Sequence, residues 1–314
     1  MRRSTFVQSL SDLLRCSKPP WNPKLPRVFF FALTVFGNRH QFEIGTRRSA
    51  SSMKIKRYQV DAFTNTLFAG NPAAVCVVDQ PISDVLMQAI AAENNLAETA
   101  FVWGSGGEYE ICWFTPVCEV DLCGHATLAS AHALLAEEGG SEEVIRFNSR
   151  HRGSLVVTRR ETLYELNFPR ASYARQSVDA DLHPCVSESP VEFWTAGADL
   201  LVVYADADAV ARLSVDSDRL GDLKYRALMV TSTGQDCDFV SRFFAPALGI
   251  DEDAVTGSAH TILAPFWSER LKKNKMDAKQ LSQRGGELTC EVVEDRVLIS
   301  GEAVTYSIGT ILID

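Results

Sequence analysis

The chain has 314 residues, of which 46% are hydrophobic and 23% charged, with a net charge of −9. That length allows one large domain or two smaller ones, with a sizeable buried core. The acidic balance excludes nucleic acid as the main partner, because phosphate binding needs a basic surface.

Residues 1–52 hold nine Lys/Arg against Asp12 and Glu43, so the net charge divides into +7 there and −16 on the remainder. A basic, acid-poor start ahead of an acidic body reads as a targeting segment or a mis-assigned start. Val28 to Phe36 is apolar but far too short to span a bilayer, and no other stretch approaches that length. No membrane partner is expected, and the location expected is cytoplasmic, or organellar if residues 1–52 are a targeting segment. The folded body is expected to begin at Met53.

From there, alternation and β-branched richness predict strands over Lys54–Val60 and Ala74–Val78. A helix follows over Ser83–Asn94, with Ser83 as its N-cap. Strands over Thr99–Trp103 and Tyr109–Phe114 lead into a helix over Gly124–Glu138. Strands are next predicted over Gly153–Thr158, Leu163–Phe168 and Leu200–Tyr204, then a helix over Ala207–Leu213. Strands over Ala227–Ser232 and Asp238–Phe244 precede a helix over Gly257–Lys273, and strands over Leu288–Val293 and Arg296–Ile299 follow it. The excess of strands and the short turns favour an α+β fold of mixed or antiparallel sheets over a doubly wound nucleotide-binding domain. No G-x-G-x-x-G after a strand, no G-K-[ST] and no Cys-x-x-Cys occurs, so neither a nucleotide cofactor nor a zinc ribbon is expected. The eight cysteines read as reduced thiols, mostly buried.

One pattern occurs twice. Residues 113–135 and 243–263 each run from an aromatic strand through Pro and acidic residues to Gly-His-Ala or Gly-Ser-Ala opening an apolar helix. The echo implies two similar halves facing each other. Glycine lets backbone approach a ligand, and first-turn N–H groups lack intrahelical partners, so each helix start is a candidate anion site. Two of them would suit a small substrate bearing a carboxylate.

Glu98 stands where a helix ends and a strand begins, among Leu96, Ala97 and Phe101. It reads either as a partly desolvated carboxyl suited to acid–base work or as an exposed strand-edge residue. Asp253 and Ser258 flank the second helix start and could contact substrate or serve as turn and cap residues. His125, at the first helix start, could donate a hydrogen bond or a proton. His132 and His260 read as packing residues, and no His pair at helical spacing with a carboxylate suggests a metal. Cys123 precedes Gly124, but Thr256 precedes Gly257, so a pair of thiol bases is absent.

Several motifs carry a family resemblance. Asp61-Ala62-Phe63 with Phe68-Ala69-Gly70-Asn71-Pro72-Ala73-Ala74-Val75 resembles the opening of phenazine-biosynthesis (PhzF-like) proteins. So do Asn95-Leu96-Ala97-Glu98-Thr99, Phe114-Thr115-Pro116 through Glu119-Val120-Asp121-Leu122-Cys123-Gly124-His125-Ala126-Thr127, and Glu252-Asp253 with Val255-Thr256-Gly257-Ser258-Ala259. Arg284-Gly285-Gly286-Glu287-Leu288 is similar to a late family segment. The resemblance covers roughly residues 53–314.

It implies a diaminopimelate-epimerase-like fold, two domains each with a curled sheet around a central helix and an active site between them. The expected division is 53–175 and 176–304, with strand 305–314 returning to the first domain. It further implies an isomerase needing neither metal nor organic cofactor, with the chemistry of trans-2,3-dihydro-3-hydroxyanthranilate isomerisation. The family's acid–base glutamate falls on Glu98, and its supporting residues on His125, Asp253 and Ser258. Gly124, Ala126, Thr256 and Gly257, with Asn71, are the expected substrate contacts, and a homodimer is compatible with such a fold. Two other functions compete: an amino-acid epimerase or racemase, disfavoured by Thr256, and a non-catalytic interaction protein on an enzyme fold.

Overall fold

The structure, a computed structural model, describes residues 53–313. The expectations for residues 1–52 lie outside it. Strands β1 (Met53–Ala62), β2 (Asn71–Val77), β3 (Glu98–Ser105), β4 (Glu108–Phe114), β5 (Glu119–Val120), β6 (Val144–Ser149), β7 (Gly153–Arg160) and β8 (Leu163–Pro169) form the first set. They curl around helix α2 (Gly124–His132), with α1 (Asp84–Asn94) on their other face. β3 shows how the period of two divides its side chains. Ala100 and Val102 join the cluster around α2, and Phe101 joins the cluster around α1.

The second set is β9 (Ala174–Gln176), β10 (Glu192–Ala196), β11 (Asp199–Val203), β12 (Leu228–Thr233), β13 (Phe239–Ala245), β14 (Ile250–Asp253), β15 (Lys275–Gln280), β16 (Gly286–Val293) and β17 (Arg296–Gly301). These enclose α5 (Gly257–Leu271), while α3 (Ala207–Arg212) and α4 (Ser217–Gly221) pack outside. β18 (Ala303–Ile313) returns antiparallel to β1.

Pairing is the same in both sets. β1–β2, β3–β4, β4–β5, β6–β7 and β7–β8 are antiparallel, and β2–β3 and β4–β6 parallel. Likewise β10–β11, β12–β13, β13–β14, β15–β16 and β16–β17 are antiparallel, and β11–β12 and β13–β15 parallel. An antiparallel β8–β17 ladder joins the sets. The fold is the sheet-dominated α+β arrangement expected, and the sequence echo corresponds to β4–β5–α2 and β13–β14–α5.

Helix α2 and all but the last turn of α5 are buried on nearly every side, as helices enclosed by a core are. In α2 the small residues Ala126, Ala129, Ser130 and Ala131 let strands approach closely, and all are buried. The two hydroxyls bond within the helix, Thr127 Oγ1 to Cys123 O at 2.6 Å and Ser130 Oγ to Ala126 O at 2.7 Å. In α5, Pro265 offers no N–H to Thr261 O, and Ala171 N–H takes that carbonyl at 3.1 Å instead. The first helix was expected to run to Glu138; it ends at His132 and continues as a π-helical turn, Ala133–Glu137.

Ser83 caps α1 as expected, accepting from Leu86 N–H at 3.3 Å. Strands β5, β6, β9, β10, β14 and β15 and helix α4 were not foreseen. β15 is instructive: its buried positions hold Met276, Ala278 and Gln280, between the charged Lys275, Asp277 and Lys279, so it lacks the usual strand composition. Cys76, Cys112, Cys123, Cys185, Cys237 and Cys290 are free thiols, all buried but the half-buried Cys237. Among the described residues no helix is long and apolar enough to cross a membrane.

Phe63 ties the end of β1 to the second set. It is fully buried with φ +63°, its carbonyl accepts from Glu287 N–H at 2.9 Å, and its N–H donates to Glu302 O at 2.8 Å. Gly301 packs flush on the ring: a Cβ there would lie 2.4 Å from Phe63 Cδ1. Gly301→Ala is therefore expected to destabilise the chain by about 1–3 kcal/mol through overpacking. Urea unfolding should show a lower midpoint at unchanged slope, and an unaltered midpoint would contradict this packing.

Candidate active site

Helices α2 and α5 begin against each other. A Cβ added to Gly124 would lie 3.9 Å from Gly257 Cα, and one added to Gly257 would lie 4.0 Å from Gly124 Cα. The same added atoms would lie 3.6 Å from Phe168 Cζ and 3.5 Å from Phe63 Cζ, all ordinary contacts. An alanine would fit the space, so the chain's own packing does not demand either glycine. The N-cap residues Cys123 and Thr256 make no side-chain capping bond, and both helix starts are left open on that side.

Glu98, the first residue of β3, follows the left-handed Asn95 that ends α1. Its side chain is 13% exposed, and Oε2 lies 3.2 Å from His125 Nε2. That oxygen is buried without an aligned hydrogen bond. The strand-edge alternative is thus not what the structure contains. Among the described residues the oxygen's close partner is the His125 ring alone, met without hydrogen-bond alignment, so it keeps capacity for a further donor.

His125, the second residue of α2, is buried with three neighbours: Glu98 at Nε2, and Asn71 Nδ2 (3.2 Å) and Cys123 Sγ (3.5 Å) at Nδ1. Asn71 spends its two amide hydrogens elsewhere, on Asp253 Oδ1 and Val255 O, each at 2.8 Å. Burial disfavours a charged imidazole, yet the Cys123 sulfur and the Glu98 carboxylate outweigh it and raise the His125 pKa well above the ordinary value. Of these two the carboxylate counts at neutral pH, because burial pushes the Cys123 thiol up to about 11 and keeps it protonated.

Asp253 ends β14. Its Oδ2 accepts from Thr256 Oγ1 at 2.5 Å and its Oδ1 from Asn71. Burial and the neighbouring Glu98 charge raise its pKa, against the opposing pull of His125 and these hydrogen bonds. Ser258, second in α5, is partly exposed, and its hydroxyl makes no hydrogen bond among the described residues. Ala126 is fully buried in the first turn of α2.

The residues singled out in sequence therefore gather at one junction, apart from His132 and His260. His132 packs between Tyr164 OH (3.1 Å) and Thr305 Oγ1 (2.9 Å). His260 donates from Nδ1 to Thr256 O at 2.8 Å. Gln280 gave no signal in sequence. It is 1% exposed, accepts from Thr256 N–H at 2.8 Å, and donates to Asp253 O at 2.8 Å and Thr256 Oγ1 at 3.2 Å.

Among the described residues, only Glu98, Cys123 and His125 offer metal-ligating atoms all within 4.8 Å of one another. As they stand, histidine and carboxylate pair with each other and the thiol holds its proton, so an ion would have to displace both.

A duplicated, sheet-dominated α+β chain with two central helices starting at a shared cluster of titratable side chains has the fold of epimerase-like structures. A solved predicted epimerase from Pseudomonas aeruginosa shares the fold at 21% identity and a TM-score of 0.63, over 83% of this chain and all of that one. The chain belongs to the phenazine biosynthesis-like (PhzC-PhzF) family, whose model matches residues 60–309. It is 45% identical to an uncharacterized isomerase of Pseudomonas aeruginosa over 82% of this chain and 99% of that protein. It is 38% identical to the phenazine biosynthesis-like domain-containing protein 1 of Mus musculus, with the same coverage. The crystal structure of a PhzF-family protein from Enterococcus faecalis superimposes with a TM-score of 0.80 at 43% identity, covering 82% of this chain and 99% of that one.

The electrostatics can be tested directly. NMR of the histidine rings should show His125 titrating above the ordinary histidine range and falling in Glu98→Gln, which removes the paired charge. Burial lowers the His260 pKa to about 4. The unfolded chain then gains a proton near pH 6.5 that the folded one refuses, so stability should fall between about pH 6.5 and 4, by about 3 kcal/mol. A His260 ring that titrates near 6.5 would contradict its burial.

Proposed function

We propose that this chain is a cofactor-independent isomerase that moves a proton on a small carboxylate-bearing substrate, with Glu98 as base and then acid. The observation that carries the reading is the Glu98–His125 pair, its buried oxygen without an aligned hydrogen bond, at the meeting point of two open helix starts. The glycines leave room there that the chain does not need for itself.

In this scheme Glu98 takes a proton from one carbon of the substrate and, now protonated, returns one to another carbon. The His125 imidazolium holds the carboxylate in place and stabilises charge that develops beside it. First-turn N–H groups of α2 and α5 bind the substrate carboxylate, and the unbonded Ser258 hydroxyl donates to it. Asp253, held by Asn71 and Thr256, accepts from a substrate amine or hydroxyl. Resemblance to the family suggests a substrate like trans-2,3-dihydro-3-hydroxyanthranilate.

The racemase reading is the weaker one. It needs a base on each side of one carbon, and the junction offers a thiol pushed up to about 11 on one side and Thr256 on the other.

The test is solvent-deuterium incorporation, followed by NMR in D₂O on cyclic and acyclic amino and hydroxy acids, dihydro-hydroxyanthranilate included. Wild type should catalyse exchange or isomerisation on at least one compound. Glu98→Gln should lower the rate by about 10²–10⁴-fold with the fold retained. Turnover that survives in Glu98→Gln would remove Glu98 from its role, and exchange confined to an amino-acid α-carbon with inversion would restore the racemase.

A further inference from the structure

The turn from Gln280 to Glu287, joining β15 to β16, makes no hydrogen bond to Glu98 or His125, yet it grips both pieces of chain that flank them. On one side Gln280 makes its three bonds to Asp253 and Thr256, and Ser282 Oγ donates to Ala254 O at 2.7 Å. On the other, Arg284 donates from Nε to Gly70 O and from Nη2 to Ala69 O and Asp61 Oδ1, each at 2.8 Å. Gly70 N–H donates to Gly285 O at 2.7 Å, and Glu287 N–H to Phe63 O. Packing adds to the bonding: a Cβ on Gly286 would lie 2.3 Å from Val255 Cγ2, so the turn sits directly on the segment between Asp253 and α5.

The two gripped pieces, 63–70 and 254–256, lie between strands or between strand and helix and have no ladder of their own. Their backbone groups must find partners elsewhere, and this turn supplies them. Asn71 follows Gly70 directly, and its amide bridges Asp253 and Val255 beside His125. The spacing between Asn71 and Asp253 is thus fixed twice, once by their own bond and once through the turn behind them.

We propose that Gln280 and Arg284 are positioning residues: their turn is a strap that holds Asn71 and Asp253 in register around His125. Its consequence for turnover rests on the isomerase reading; its effect on the geometry does not. Directional bonds from two buried or half-buried side chains hold a site far more tightly than apolar packing of the same volume, and about 1 Å of misplacement costs as much as 10²-fold in rate.

The test compares Gln280→Met and Arg284→Met, which keep bulk and lose the bonds, with Arg284→Lys, which keeps the charge facing Asp61. Two readouts are taken on the full chain: ring signals of His125 and His132, and the kinetics of whichever compound the exchange screen finds. In both Met variants the His125 signal should move or split while that of His132 stays in place. The value of kcat should fall about 10–10²-fold with KM within about threefold, and Arg284→Lys should recover part of the loss. Folded Met variants with an unmoved His125 signal, or with KM alone affected, would overturn the strap. If Gln280→Met fails to fold, Gln280→Asn, one carbon too short to reach Thr256 N–H, is judged by the same signals. A chain with no turnover on any compound bears on the isomerase reading alone, because the ring signals still decide the strap.

Discussion

α2 and α5 start face to face at Gly124 and Gly257, and neither carries a side-chain cap. Aligned peptide dipoles place roughly half a positive charge at each helix start, so two such ends in contact repel each other at a largely buried junction where water screens them weakly. The junction is tolerable because negative groups surround it. Glu98 and Asp253 stand there, and Gln280 Oε1 takes the Thr256 N–H. A second cation, the His125 imidazolium, would add to the repulsion but for the carboxylate at 3.2 Å. In the proposed reading, the substrate carboxylate would take over part of the charge that these groups supply in the resting chain.

Much of this was legible in sequence because it depends on local pattern. The echo of strand, proline and Gly-x-Ala opening an apolar helix marked both α2 and α5, and the family resemblance implied that such helices lie at the centre of curled sheets. Glu98 was placed by the transition from helix to strand. What sequence could not show was the meeting of segments far apart in the chain. Asn71 stood in a recognisable motif as a substrate contact, but both its amide hydrogens are engaged by Asp253 and Val255. Gln280 stood in no motif: a glutamine closing a strand rich in Lys and Asp reads as surface until β15 is paired with β13 and its side chain turned inward. The break of the first helix into a π turn at Ala133 likewise has no counterpart in its smooth apolar run.

The duplication also supplies an argument about chemistry, through the places where the copies differ. Matched by register through Phe114 and Phe244, Glu98 corresponds to Ala227 and Asn71 to Gly197, neither of which carries a polar side chain. At the helices, Cys123 matches Thr256 and His125 matches Ser258. One copy therefore contributes the carboxylate and imidazole, and the other contributes hydroxyls and Asp253, which is tied down by two hydrogen bonds. A symmetric junction would present one proton-transfer group on each face of a substrate carbon, the arrangement inversion requires. This junction is lopsided, with its unbonded carboxylate oxygen on one side only. A single group that collects a proton and gives it back on the same face suits migration between two carbons better than inversion at one. The departure from symmetry, more than the fold it decorates, supports the proposed isomerase over an epimerase.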